Sequence, residues 1–331
     1  MRRVLVIGGG GYIGSHMVKQ LLASGYEPFV IDNFSTGYRD AIVCDQVETL
    51  DIADQVALDA LFASVKFDAV MHFASFIQVG ESVIEPAKYY QNNLASTLTL
   101  LQAMLKANIK TFIFSSTAAV YGDPVYVPID EHHPKQPINP YGLSKWMVEQ
   151  ILQDYDRAYG LKSVVLRYFN AAGADPDGEL GERHLPETHL IPLILQAASG
   201  RRASITVFGR DYDTPDGTCI RDYVHVSDLV KAHELALEYL WSGFDSTVFN
   251  LGNGSGFSVQ NVIDAAKRTT GREFKVVDAE RRDGDPARLV ADSQRARSVL
   301  GWTPRFADLD TIIQHAWDWE LKLNRAIHPE A

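Results

Sequence analysis

Tyr141 and Lys145 stand four residues apart in the run Tyr-Gly-Leu-Ser-Lys. On a helix that spacing puts a phenol and an ammonium on one face. A phenol ordinarily titrates near 10. A nearby ammonium and a positive nicotinamide both favour tyrosinate, which brings Tyr141 toward the range of general-base catalysis. Thr117 closes the run Ser115-Ser116-Thr117 after an apolar stretch, where its hydroxyl can relay a proton between a sugar hydroxyl and Tyr141. Near the start of the chain, Gly8, Gly11 and Gly14 punctuate a turn directly after four apolar residues. Glycine lets the backbone turn tightly and approach a pyrophosphate, and the N–H groups of a following helix point at that charge. Asp32 comes 18 residues after Gly14. Its carboxylate can accept hydrogen bonds from ribose hydroxyls and repels a 2′-phosphate, which favours NAD over NADP. The two motifs together predict an enzyme that passes hydride between a sugar alcohol and a bound nicotinamide.

Such groups need a scaffold that brings them together. The first half alternates short β-rich runs with longer helical patterns, which predicts a parallel sheet. Strands are predicted at 4–7, 29–32, 69–73, 112–116 and 164–168, and helices at 12–24, 89–107 and 141–159. The expected fold is an α/β, Rossmann-type doubly wound parallel sheet with a smaller C-terminal α/β lobe. Asp51-Ile52 and Phe73-Ala74-Ser75 follow later strands and should ring the carboxyl edge of the sheet, where ligands bind. Asp51 can contact an adenine amine, although such an Asp alone is more often a helix N-cap. Residues 171–181 are rich in Gly, Pro and Asp and read as a loop. The expected division is a cofactor lobe over 1–170, with a strand near 248–251 returning to it, and a second lobe over 171–331.

Lys and Arg number 31 against 42 Asp and Glu, a formal charge of −11. That argues against a nucleic-acid partner or a membrane surface, so an anionic substrate must be held by a local arginine cluster. Cys44 and Cys219 alone suit a reducing compartment. No apolar run of about 18 residues predicts a membrane span, and the opening apolar stretch is too short for a signal peptide. A cytoplasmic location is expected. The ten histidines are scattered, and no metal site is expected.

The chain resembles the extended short-chain dehydrogenase/reductase family, and within it the 4-epimerases of UDP-hexoses. The resemblance covers nearly the whole chain. It rests on GGGGYIGSH from Gly8, Asp32-Asn33, VGESV from Val79, YYQNN from Tyr89 and FSSTAAVYG from Phe114. It continues through YGLSKWMVE from Tyr141, LRYFN from Leu166, RDYVHV from Arg221 and Asn250-Leu251-Gly252. It implies a tightly held NAD and a UDP-hexose substrate. Tyr141 would remove the 4-hydroxyl proton while the C4 hydride leaves, and the 4-keto sugar would rotate and take the hydride back on its other face. It implies cofactor contacts from Gly8, Gly11, Tyr12, Ile13, Gly14, Asp32, Asn33, Phe34, Ser35, Thr36 and Gly37. Asp51, Ile52, Phe73, Ala74, Ser75, Asn92, Tyr141, Lys145 and Phe169 would complete that set. Thr117, Tyr141, Asn170, His189, Phe208, Arg221, Arg282, Asp285 and Leu289 would hold the substrate. A homodimer built on the 89–107 and 141–159 helices is also implied, for which Leu94, Leu98, Leu101 and Leu105 offer an apolar face; an intramolecular core is the equally simple reading.

Some positions separate this chain from its relatives. Dehydratases of the family carry an acidic pair after the Ser-Ser/Thr run, whereas Ala118-Ala119 stand here and cannot donate or accept a proton for elimination. Many members have a lysine where Ile77 lies, and some have an asparagine where His189 lies. Some epimerases have a tyrosine where Leu289 lies. Leucine reaches less far, so N-acetylated UDP-hexoses are an expected additional substrate. The alternatives are a 4-epimerase of a UDP-pentose or UDP-uronic acid, and a non-catalytic NAD-binding sensor.

Overall fold

A computed structural model describes residues 1–282 and 285–327. In chain order the strands are β1 (Arg3–Ile7), β2 (Glu27–Asp32), β3 (Val47–Thr49), β4 (Ala69–His72), β5 (Thr111–Thr117), β6 (Lys162–Tyr168), β7 (Asn170–Ala172), β8 (Ile205–Phe208), β9 (Ile220–Arg221), β10 (Tyr223–His225), β11 (Thr247–Leu251), β12 (Phe257–Ser258), β13 (Val276–Ala279) and β14 (Arg288–Leu289). The helices are α1 (Tyr12–Ala23), α2 (Gln55–Ser64), α3 (Val79–Ile84), α4 (Pro86–Tyr89), α5 (Ser96–Lys106), α6 (Pro140–Tyr159), α7 (Leu190–Ala198), α8 (Val226–Trp241), α9 (Val259–Thr270), α10 (Gln294–Leu300) and α11 (Leu309–Ile327).

Seven strands make one parallel sheet in the order β11-β6-β5-β4-β1-β2-β3. Successive residues of a strand face opposite sides, and β1 shows the result. Val4 and Val6 enter one core with Met17, Leu21, Leu229 and Leu237, under α1 and α8. Leu5 and Ile7 enter another with Leu58, Leu101, Met104 and Val148, under α2, α5 and α6. Apolar residues on both faces are what a sheet covered by helices on both sides requires. The Rossmann-type doubly wound sheet expected from the alternating pattern is therefore present. The strand order reverses at β1, so a crevice opens where the chain leaves β1 and β4.

A separate core joins α7, α9 and α11 around Ile194, Ile263 and Ile313, beside the parallel pair β8–β13. A small sheet, β12-β9-β14, sets Leu289 in register with Arg221. Among the described residues no helix is long and apolar enough to cross a membrane.

The predicted strands form with slightly different ends, and β3 joins them at the sheet edge. The helix expected over 89–107 is interrupted: Tyr90–Ala95 form a π-helical turn between α4 and α5. The cause is local. The Ser96 hydroxyl donates to the Gln91 carbonyl five residues back, and the Asn93 amide pairs with both backbone polar groups of Phe76 at 2.9 and 3.0 Å. The wider turn brings Asn93 to the strand-end segment after β4, and Asn92 donates to the Asn93 side chain at 2.9 Å. Leu94, Leu101 and Leu105 pack into the chain's own core, while Leu98 is half-buried.

Candidate active site

The crevice begins at Gly8, whose φ of +79° needs no side chain. A Cβ on Gly8 would lie 2.6 Å from the Ala74 nitrogen, and one on Gly14 only 2.1 Å from the Gly8 carbonyl oxygen. These glycines bring β1, the start of α1 and the end of β4 into contact. The Asp32 carboxylate accepts from the Gly10 and Phe34 N–H groups, both at 2.8 Å. Burial raises its pKa and the two N–H donors oppose that. Each oxygen keeps a further lone pair with which to accept. Phe34 holds a left-handed φ of 55°, the kind of local strain that gathers at ligand-binding loops.

Asn33 donates to Asp51 Oδ2 at 2.9 Å, and Asp51 Oδ1 takes the Ala53 N–H at 2.8 Å. Asp51 is thus tied into a turn, and Asp54 caps α2. Ile52 turns into the core beneath α2. At the end of β4, Phe73 N–H bonds the Ile7 carbonyl at 2.9 Å. The Ser75 hydroxyl is buried without a protein partner, and such a group calls for a ligand or water. Ile77 is 37% exposed. The narrow glycine cradle, the acid at the end of β2 and the unpartnered Ser75 hydroxyl fit a dinucleotide such as NAD.

Asn139 caps α6 through the Gly142 N–H at 2.8 Å, and Pro140 occupies its first turn. This start fixes Tyr141 and Lys145 against the end of β5. Tyr141 is buried, which raises its pKa, and a hydrogen bond from Thr117 opposes the rise. Lys145 Nζ donates to the Ser115 carbonyl at 2.9 Å and lies 4.8 Å from the centre of the Phe114 ring. Burial draws its pKa down to about 7 against the pull of Glu149. The spacing predicted a lysine that lowers the tyrosine. In this structure burial is the largest influence on Tyr141, and the lysine head is directed to β5.

Beneath these groups runs a network that sequence reasoning missed. Arg167 and Glu149 are both fully buried and pair through two nitrogens at 2.5 to 3.2 Å. Ser116 donates to the same carboxylate at 2.5 Å. Arg167 Nη1 reaches the Tyr121 hydroxyl at 2.9 Å, which in turn donates to Asn250 at 2.6 Å. Strands β5, β6 and β11 and helix α6 are locked together at one point. A charged residue in the apolar-flanked run of β6, matched by Glu149 one turn beyond Lys145, was the available signal.

Toward the second core, the Asn170 side chain donates to the Asp222 carbonyl at 3.0 Å. The Asp222 carboxylate collects the N–H groups of Asn253, Gly254 and Ala291 at 2.6 to 3.0 Å. Arg221 pairs with Asp285, and the Arg282 guanidinium lies 3.8 Å over the Phe208 ring. Leu289 and Phe169 pack together against Ala118, Val120 and Tyr121. His189 stands at the start of α7 with Nδ1 turned to Glu182 and Glu187, at 2.7 and 3.2 Å. His184 Nδ1 points at the same pair at 3.1 and 3.6 Å. Burial, the largest influence, lowers both imidazoles. The summed pull of the two carboxylates outweighs it and raises His184 to about 9 and His189 to about 10. The spacing Glu-x-His-x-x-Glu-x-His would have revealed this cluster.

A family model described as the NAD dependent epimerase/dehydratase family matches residues 4–252. The UDP-glucose 4-epimerase of Rhizobium meliloti (strain 1021) is 52% identical over 322 residues, 97% of this chain and 98% of its own. The solved structure of UDP-glucose 4-epimerase from Brucella ovis in complex with NAD superposes with a TM-score of 0.94 at 49% identity. It covers 96% of this chain and 98% of its own. The structure of the UDP-Glc/GlcNAc 4-epimerase from Campylobacter jejuni gives a TM-score of 0.86 at 45% identity, over 97% of this chain and 100% of its own.

Proposed function

The chain belongs to the NAD dependent epimerase/dehydratase family, and we propose that it interconverts UDP-glucose and UDP-galactose by inverting C4 of the hexose. Gly8, Gly11 and Gly14 would hold NAD, whose chemistry when bound would be to accept a hydride and give it back. Tyr141 takes the 4-hydroxyl proton and returns it. The Thr117 hydroxyl opposes the rise that burial imposes on Tyr141, and so favours the tyrosinate that this task needs. Lys145 is oriented by the Ser115 carbonyl, one helical turn beyond Tyr141. The observation that carries the reading is that buried Tyr141 and Lys145 are set by α6 against the end of β5 beside Ala118 and Ala119, where elimination of water would need an acid.

Around this centre, Gly8, Gly11, Tyr12, Ile13 and Gly14 line the pyrophosphate. Asp32, the 33–37 loop and Asp51 with the backbone of Ile52 line the adenosine. Phe73, Ala74, Ser75, Asn92 and Phe169 line the nicotinamide end. Arg221 and Arg282 balance the UDP diphosphate on an otherwise acidic protein, with Phe208 and Asp285 beside them. Asn170 and His189 complete the substrate wall. The chain thus divides into a cofactor lobe over 1–170, joined by β11, and a UDP-sugar lobe over most of the remainder. The enzyme works in the cytoplasm, in galactose metabolism, as a homodimer whose contact is α5 and α6. Met147 on α6 is 36% exposed and Leu98 on α5 half-buried, so both remain for a partner.

The test gives purified protein UDP-galactose without added cofactor and follows the C4 epimers by NMR. Appearance of UDP-glucose supports the reading and a retained NAD. If no conversion follows even when NAD is supplied, the UDP-hexose assignment fails. Leu289 favours a second substrate class. It lies in register with Arg221 and packs on the same small cluster as Phe169, where a leucine leaves room for the N-acetyl group of UDP-N-acetylhexosamines.

A further inference from the structure

We propose that Glu182, His184, Glu187 and His189 form a binding site for one divalent transition-metal ion, best suited to zinc. One ligand atom from each residue lies within 4.8 Å of all the others. The two imidazole Nδ1 atoms stand 2.7 and 3.1 Å from Glu182 Oε1, and 3.2 and 3.6 Å from the Glu187 oxygens. Ligands held 2.0–2.1 Å from a tetrahedral zinc are roughly 3.3 Å apart. Four of the six ligand–ligand separations bracket that edge and the other two lie within 4.8 Å, so an ion at their centre would draw the four ligands in around it.

Charge and chemistry agree with the geometry. Two carboxylates and two neutral imidazoles match a +2 ion, and two nitrogens with two oxygens suit zinc. Each imidazole would give its Nδ1 lone pair to the ion and release the Nδ1 proton to solvent. Both carboxylates are 6% exposed, while the His184 and His189 side chains are 22% and 40% exposed. The acids form the floor and the imidazoles the mouth, so an ion can enter. Outer contacts hold the ligands in place, as metal sites require. The Thr188 and His189 N–H groups donate to Glu187 Oε1 at 2.7 and 2.8 Å, and the Trp319 indole donates to the Glu182 carbonyl at 3.0 Å.

Four protein ligands leave no open position, so the site is structural. It would tie together the loop before α7, which also packs on the dinucleotide turn: the Tyr12 hydroxyl donates to the Gly173 carbonyl at 2.7 Å and Lys19 pairs with Asp175 at 2.7 Å. The ion would take only the Nδ1 of His189, which leaves its Nε2–H for the substrate contact proposed above.

The test uses tag-free full-length protein, freed of metal by a chelator and titrated with Zn2+ in competition with a chromophoric chelator. One Zn2+ per folded chain with sub-micromolar affinity is expected. His184→Asn and Glu187→Gln should each weaken binding by about 100-fold or more, while His132→Asn should leave it unchanged. Because the cluster variants can destabilise the loop, Co2+ is bound to the unaltered protein as well. Strong visible absorption of four-coordinate Co2+ supports the site. Failure to bind Zn2+ stoichiometrically at micromolar concentration, cluster variants that bind like the parent, or a weak six-coordinate Co2+ spectrum would each overturn it and leave a cluster held by hydrogen bonds alone.

Discussion

Lys145 hands a hydrogen bond to the carbonyl of Ser115 at 2.9 Å, which joins the first turn of α6 to the last residues of β5. That bond keeps the amine in a dry place, and its pKa is drawn from 10.5 to about 7. The unfolded chain holds this proton up to about pH 10.5 and the folded chain loses it near 7. Unfolding therefore takes up a proton across that window. The cost of burying the ammonium is full below about pH 7 and fades as pH rises, by at most about 1.4 kcal/mol per pH unit. Urea unfolding of wild type and Lys145→Met from about pH 7 to 9 should show the wild type gaining on the variant. Parallel curves would mean that the ammonium is solvated.

Burial raises the Tyr141 phenol, and Thr117 is the group that opposes the rise. Tyr141→Phe should lower turnover by roughly 10²–10⁴-fold and leave bound NAD in place, read by absorbance after release. Thr117→Val removes the opposing bond, so tyrosinate forms at higher pH. The ascending limb of the kcat/KM profile should then move to higher pH. A profile that only scales down would assign Thr117 to substrate contact alone.

Glu149 and Arg167 are a buried ion pair. Glu149→Gln leaves the guanidinium without its counter-charge, at a cost of about 3–5 kcal/mol, to be read by chemical denaturation. Replacing both residues with apolar side chains should recover much of the loss. If the single variant unfolds at the wild-type midpoint, the pair is hydrated and contributes little.

Leu289→Tyr puts a longer side chain beside Phe169 and Arg221. Turnover of UDP-N-acetylgalactosamine should drop about tenfold or more, with UDP-galactose nearly unchanged, since one badly fitted group costs about 1–3 kcal/mol. Equal losses on both substrates would remove Leu289 from the question of specificity.

What was legible in the chain was whatever short-range pattern decides. The glycine turn, the acid ending β2 and the Tyr141/Lys145 face all follow from spacing within one element and its neighbour. Three features were not legible, because distant contacts set them. The π-helical turn at Tyr90–Ala95 exists because Asn93 pairs with Phe76, and the helical period of 89–107 carries no trace of that partner. Glu149 reads as one more polar residue of α6 until β6 places Arg167 against it. The spacing set the face of Lys145, but only the fold revealed that its head meets a carbonyl of β5. His189, expected beside a diphosphate, also meets Glu182 and Glu187, neighbours that the local spacing Glu-x-His-x-x-Glu-x-His did carry.

The pairing of β11 with β6 joins Thr247 to Val164 and Leu251 to Tyr168. During synthesis, β6 must therefore wait for some eighty further residues to be made before its outer edge is covered. Until then a nascent chain presents a row of unpaired backbone donors and acceptors on an apolar strand, the kind of edge that recruits other chains. Translation speed and chaperone access over residues 169 to 246 should thus decide how much of this protein reaches its folded state, although that stretch contributes no strand to the central sheet.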